Sequence, residues 1–448
     1  MIVGMHAVIK EARATLVLAV PMIIGQMSQV LMGVTDTVMI GRVGTVPLAA
    51  SAFGSSVFNV LFIIGIGLLV PVSVFASRSR GAGRHDEAGE YLRHGLLLAF
   101  LACIIELVAI GIMSRHLGSF GQAPEVVASA NPFFLLIGVS LVPVFGYSAM
   151  RQFAESMGRP WVPTVIILST VALNVVLNWA FIFGHLGSPE MGLTGSGLAT
   201  LIARTLSCVI IFIWLRSDPA MKGAWPTRWL APFSRERIWR MLHVGMPAAG
   251  CLLFEIGAFA AATVMMGWLG AVSLAAHQVA ISCAGLTFMV ALGISMAVGI
   301  RTSAAVGAGD HGRLRTIWLG GSGMAASMAL VLTFVFILWG HSIASLFIAD
   351  PAVISVATRL LVVAGIFQLF DGNQVINAAA LRGMTDVRIP AAMTFVAYWV
   401  VALPLAYLFG IHWGYGPVGM WTALALGLAV ASFLLGYRFL RLTRPAAT

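Results

Sequence analysis

From Ile389 to Tyr437 the chain carries no Asp, Glu, Lys or Arg, and Val43–Ser77 and Pro160–Gly184 are equally free of charge. A helix needs about 20 consecutive apolar residues to cross the hydrocarbon core of a bilayer. The first of these runs is therefore long enough for two crossings and each of the others holds one. Only 9% of the 448 residues are charged, against roughly a quarter in soluble domains. The same reading along the chain predicts twelve spans, near residues 14–40, 47–76, 94–114, 126–150, 160–184, 192–215, 241–266, 272–300, 316–340, 352–381, 389–411 and 417–437. The expected fold is an all-α polytopic bundle. Barrel strands are shorter and alternate in polarity, which these runs do not.

The net charge of +10 is unevenly placed. With an internal N-terminus, Lys10, Arg13, Arg78, Arg80, Arg84, Arg151, the segment Arg216–Arg240, Arg382, Arg388 and Arg438–Arg444 all fall at inner ends or loops. Arg42, Arg115 and Arg359 alone fall outside. By the positive-inside rule both termini are expected in the cytoplasm. The basic surplus orients the chain against anionic lipid and is not expected to bind nucleic acid. Lys10 and Arg13 precede an apolar run as in a signal peptide, but the run is long and reads as the first span. Cys103, Cys208, Cys251 and Cys283 all lie in spans without CxxC spacing, and are read as small apolar residues.

The chain is a repeat. Shifted by 226 residues, Pro21 falls on Pro247, Gly41 on Gly267, Gly44 on Gly270, Leu48-Ala49-Ala50 on Leu274-Ala275-Ala276, and Gly81-Ala82-Gly83 on Gly307-Ala308-Gly309. The expected organisation is an N-lobe over 1–215, a cytoplasmic inter-lobe loop over 216–240 and a C-lobe over 241–448. An even number of spans per half makes the repeats parallel, and such transport folds bind between lobes that rock against each other.

Three acids stand inside the spans. Asp36 is the only charge from Ala14 to Gly41, Glu255 from Met241 to Ile300, and Asp371 from Leu360 to Leu381. A carboxylate in hydrocarbon costs several kcal/mol unless it meets a cavity, a cation or a partner. The repeat does not duplicate them: Ala262 matches Asp36 and Gln29 matches Glu255. Such acids point to ion or substrate handling. Asn174 and Asn178 share a helix face and Thr200 lies at a similar depth, so these oxygens could surround a hard cation such as Na⁺ beside Asp36. Gln368 and Gln374 flank Asp371. Glu106 and Arg204, in spans three and six, are expected to pair with each other. Pro21 and Pro247 should kink their spans.

One motif is a decoy. Gly307-Ala-Gly309-Asp-His-Gly312 fits GxGxxG, but it follows a membrane helix, and the dinucleotide fingerprint needs a strand before it. HExxH, GxSxG and Walker A sequences are missing, so an enzyme is not expected, nor any cofactor.

The run Pro21…Asp36-Thr37…Gly41-Arg42-Val43-Gly44…Leu48-Ala49-Ala50, its partner Gly267-Trp-Leu-Gly270…Leu274-Ala-Ala-His-Gln278, and Arg382-Gly383…Asp386…Pro390 resemble the MATE multidrug and toxic compound extrusion transporters. The three acids together are similar to its NorM-type branch. The resemblance implies two six-helix lobes and efflux of organic, mostly cationic amphipathic compounds in exchange for Na⁺ or H⁺. It places a cation site on Asp36, Asn174, Asn178 and Thr200, and a second coupling site on Glu255 and Asp371. Glu255 and Asp371, with Gln278 and Gln374, are also the expected drug contacts. Some members of the branch have a tyrosine one turn before the second acid, where this chain has Phe367. An acid-lined cavity, a monomer and the bacterial inner membrane are the further expectations. The alternative within the wider superfamily is a flippase for lipid-linked precursors, whose cavity is basic.

Overall fold

The computed structural model describes residues 4–444. Twelve helices in it are long and apolar enough to cross a membrane: α1 Met5–Gly41, α2 Thr45–Gly81, α3 His85–Phe120, α4 Pro124–Ser156, α5 Trp161–Phe183, α6 Gly192–Ser217, α7 Arg235–Trp268, α8 Ala271–Gly307, α9 His311–Phe347, α10 Pro351–Gly383, α11 Arg388–His412 and α12 Gly416–Leu442. Among the described residues there is no strand. Each expected span lies within or against one of these helices. Several extend further than the spans, because polar end turns such as His85–Arg93 continue the helix beyond the apolar run.

The repeat reappears in the backbone. The α2–α3 turn ends with bonds from Gly83 N–H to Arg80 O and from Arg84 N–H to Ser79 O; the α8–α9 turn has Gly309 N–H to Val306 O and Asp310 N–H to Ala305 O. Gly83 and Gly309 both sit at φ 72°, the left-handed helix end that glycine tolerates best. The GxGxxG run is thus a helix C-cap. At the α4–α5 turn Gly158 takes φ 82°, and its counterpart at the α10–α11 turn is Thr385 at φ 65°.

Proline sets where the two halves differ. Pro71, matched by Ala297, offers no N–H to the Gly67 carbonyl, and α2 breaks at Val70 whereas α8 runs unbroken. In α11 Pro404 cannot donate to the Val400 carbonyl. The helix widens there into π turns over Val396–Ala402 and Leu408–His412.

By their contacts the helices form two compact units. Among the described residues, one comprises 4–23 together with 250–444; the other is Ile24–Ala249. The division by packing therefore differs from the division by repeat at the first turns of α1 and α7. Both helices change unit next to their proline. Within the first unit, a Cβ on Gly293 of α8 would stand 2.9 Å from the Ile23 nitrogen; within the second, a Cβ on Gly67 of α2 would stand 2.5 Å from the Ala249 Cα. Gly67 and Gly293 occupy one repeat position, and Ile23 and Ala249 another.

Ion pairs fix the same exchanged turns. Glu11 of α1, 8% exposed, accepts from Arg301 of α8 and from Arg313 of α9, the latter at 3.0 Å. In the other unit Arg237 of α7 donates to Glu90 of α3 at 3.3 Å. Glu11 and Arg237 are repeat counterparts, so the lock is built twice with its charges exchanged. α10 is the central helix of its unit, packed against α8, α9 and α12, as α4 is of the other against α2, α3 and α6.

Candidate functional site

In the Ile24–Ala249 unit, Asn174 and Asn178 lie one turn apart on α5, both fully buried. Asn178 Nδ2 donates to Asp36 Oδ1 at 2.5 Å and to Asn174 Oδ1 at 3.1 Å. Thr35 and Thr37 turn their hydroxyls back to α1 carbonyls, so they do not compete for the carboxylate. Asn178 Oδ1 and Asn174 Nδ2 are buried without partners. A half-turn of the Asn178 amide would bring that orphaned oxygen toward Asp36. The trio can therefore hold a bare carboxylate as it stands, or face a small cation with oxygen after the flip.

Asp36 opens onto a cavity of about 480 Å³. Thr200 lines it with Asp36, and on other walls so do Gln26, Tyr147, Arg151 and Arg204. Three of the four residues expected to form the cation site are joined by hydrogen bonds, and the fourth lines the cavity that Asp36 faces.

Arg204 does not pair with Glu106, contrary to expectation. Its Nη1 donates to Ser140 Oγ at 2.6 Å, and its guanidinium lies 5.3 Å from the Phe58 ring centroid. Ser140 sits where α4 is interrupted between Val139 and Leu141, because Pro143 withholds an N–H from the turn before it. Glu106, on α3, is 5% exposed and its Oε2 has no partner. The two share a half of the chain, but helix register turns them apart.

Sequence reading placed Arg151 at an inner end. In the structure it reaches the cavity, with Nε 3.3 Å from Glu155 and both Nη atoms on Gln26 Oε1 at 3.2 Å. The i,i+4 spacing of Arg151 and Glu155 was the available signal. The cavity wall thus carries one carboxylate and two guanidiniums. That corrects the expectation of an acid-lined cavity for this unit.

The second site lies in the other unit. Asp371 and Gln374 of α10 are 4% and 3% exposed, and Asp371 Oδ1 and Gln374 Oε1 have no partner. Glu255 of α7 is half-buried, within Coulombic range of Asp371 and of Arg382. Gln368 turns away, donating to the Ala284 carbonyl at 3.1 Å and to Thr287. Gln278, the remaining expected drug contact, is exposed on α8 with no hydrogen bond to either acid. Its neighbour His277 is fully buried, between Trp421 Nε1 at 3.1 Å and Thr263 Oγ1 at 3.0 Å. Thr263 gives its own proton to the Phe259 carbonyl. The ring is therefore the Nε2–H tautomer, a structural link with no vacant nitrogen.

Two half-chain helix repeats, each with isolated carboxyls in membrane-spanning helices, define a secondary transporter rather than an enzyme. The MatE family model matches residues 21–180 and again 247–408, each match opening on one of the paired prolines. The chain belongs to this family of multidrug efflux transporters. It is 37% identical to a probable multidrug resistance protein NorM of Mesorhizobium japonicum, over 98% of this chain and 95% of that protein. Identity to the probable NorM of Pseudomonas putida is 35%, covering 96% and 94%. Among solved structures, an outward-facing multidrug resistance MATE family transporter of the MOP superfamily superposes with a TM-score of 0.89 at 22% identity, covering 97% and 96%. A MATE transporter in the bent conformation gives 0.89 at 22%, covering 99% of each chain.

Proposed function

We propose that the protein is an antiporter of the bacterial inner membrane, with both termini cytoplasmic. It exports organic, mostly cationic amphipathic compounds in exchange for inward movement of Na⁺ or H⁺. The observation that carries this reading is the Asp36 carboxylate, held by Asn178 at the edge of a cavity inside a membrane-spanning unit. A carboxylate so placed can exist charged or neutralised, and its two states give the cavity different charge. A coupling ion acts on transport only through such a difference between states.

The two acid sites suit different tasks. The compact cluster of Asp36, Asn178 and Asn174 suits a small coupling ion rather than a drug-sized cation. Glu255 and Asp371, with Gln374 beside them, suit the drug cation and a second coupling ion. Na⁺ needs several oxygens and would require the Asn178 amide to turn its oxygen toward Asp36, whereas a proton needs only the carboxylate.

The test is ethidium efflux from proteoliposomes under an imposed Na⁺ gradient, then under an imposed pH gradient, for the wild type and Asp36→Asn. Efflux driven by one gradient and lost in the variant supports antiport and names the ion. Folded protein that moves nothing under either gradient sinks the reading, and turns attention to a lipid-linked substrate.

A further inference from the structure

Tyr398 of α11 is 1% exposed, and its hydroxyl has no hydrogen-bond partner. Burying a hydroxyl unpaired costs about 1–3 kcal/mol, so an orphan of this kind in a packed unit asks for a reason. Its surroundings give one.

Phe259 lies one turn after Glu255 on α7, and Phe367 one turn before Asp371 on α10. The Tyr398 ring meets Phe259 edge to face at 6.2 Å, and Phe259 meets Phe367 at 6.0 Å. Alternate crossings run α7 and α10 in opposite directions, so one turn forward on the first and one turn back on the second lead the same way. The three rings form a contact chain, and two of them stand one helical turn along from the acids. The hydroxyl is within Coulombic range of both carboxyls. Asp371 Oδ1, an acceptor, is itself orphaned.

The helix is also deformed at this point. The Leu403 N–H bonds the Tyr398 carbonyl, five residues back rather than four. π turns of this kind re-aim side chains and gather at functional sites.

We propose that Tyr398 is the third member of the Glu255–Asp371 site. Its hydroxyl donates to whichever carboxyl is ionised and lets go when that carboxyl takes up its cation or proton. The inference rests on the reading of these acids as a coupling and drug site. Tyr398 is a positioning residue: it holds the ionised form ready and is not itself carried through the cycle. The other titratable groups facing the site are Cys251 on α7 and Arg382 on α10. His277 of α8 is fixed by its two bonds.

The experiment is ethidium binding to the purified, full-length protein across pH, for the wild type and for Tyr398→Phe, Glu255→Gln and Asp371→Asn, with melting temperatures recorded alongside. Phenylalanine keeps the ring and removes a hydroxyl that has no other partner. The expected result is a Tyr398→Phe profile displaced to higher pH by about one unit, a tenfold change in proton affinity, at a melting temperature that does not fall. The two acid variants should flatten the profile. A wild-type profile in Tyr398→Phe beside flattened acid variants overturns the role of Tyr398 and leaves the acid site standing. A lowered melting temperature with an unmoved midpoint overturns it in favour of packing. Wild-type profiles in both acid variants remove the coupling reading, and Tyr398 with it.

Discussion

Asn178 turns its amide nitrogen, not its oxygen, toward Asp36, at 2.5 Å. The carboxylate is therefore satisfied without a metal, and whatever neutralises it must compete with an amide already in place. In Asp36→Asn the charge is gone but the shape is kept, so the protein should fold. Gradient-driven ethidium efflux should fall at least tenfold, measured in proteoliposomes. Asn178→Ala leaves the carboxylate without its donor, at a cost of about 1–3 kcal/mol. Its melting temperature should drop by several degrees, read by a thermal shift assay.

Arg204 places a fixed positive charge on the cavity that Asp36 faces. A second cation entering there works against it, by an amount on the order of 1–3 kcal/mol at an effective dielectric near 20. Replacing Arg204 with Gln should lower the cation concentration needed for half-maximal drug release about tenfold. Titrating Na⁺ and pH separately against bound ethidium checks this. No change for either ion would show that the guanidinium serves only its bonds to Ser140 and Phe58.

Thr385 holds φ 65° where the other repeat has Gly158 at φ 82°. A β-branched residue in the left-handed region is strained, and glycine relieves it. Thr385→Gly should stabilise the protein by about 1 kcal/mol, and Gly158→Thr should destabilise it by at least as much. Melting temperatures of the two single variants, moving in opposite directions, are the check.

Gly67 and Gly293 admit no side chain. A methyl on either would press into backbone, at the Ala249 Cα or the Ile23 nitrogen. Each Gly→Ala variant should cost about 1–3 kcal/mol through overpacking, seen as lowered expression and melting temperature. Alanine at Gly323, with open space around it, should be tolerated and serves as the control.

Much of this was legible in the chain. Hydrophobic length gives the twelve spans, because a bilayer sets a minimum run that few other environments demand. The shift of 226 residues gives the two halves, down to the paired glycine caps at Gly83 and Gly309. Asp36, Asn174 and Asn178 were legible because an isolated acid and an i,i+4 pair leave few choices of partner. The pairing of Glu106 with Arg204 was misread: depth can be read from sequence, but the direction in which a helix faces its neighbours cannot. Arg151 was missed because an arginine near a span end looks like a snorkelling charge. Tyr398 had no signal at all, since its aim depends on a π turn created by a proline six residues further on.

The exchanged first turns of α1 and α7 also bear on how the chain is made. Residues 4–23 are made well before α8 and α9, the helices that cover them, which are synthesised only after the midpoint of the chain. Until then the Glu11 carboxylate has neither Arg301 nor Arg313 to meet, and this part of α1 must wait in the membrane for helices of the second half. The reverse holds for α7, which begins by completing a unit already made. Neither half of the gene encodes a finished unit, so a chain severed between Ser217 and Arg235 should be active only when both fragments are produced in the same cell.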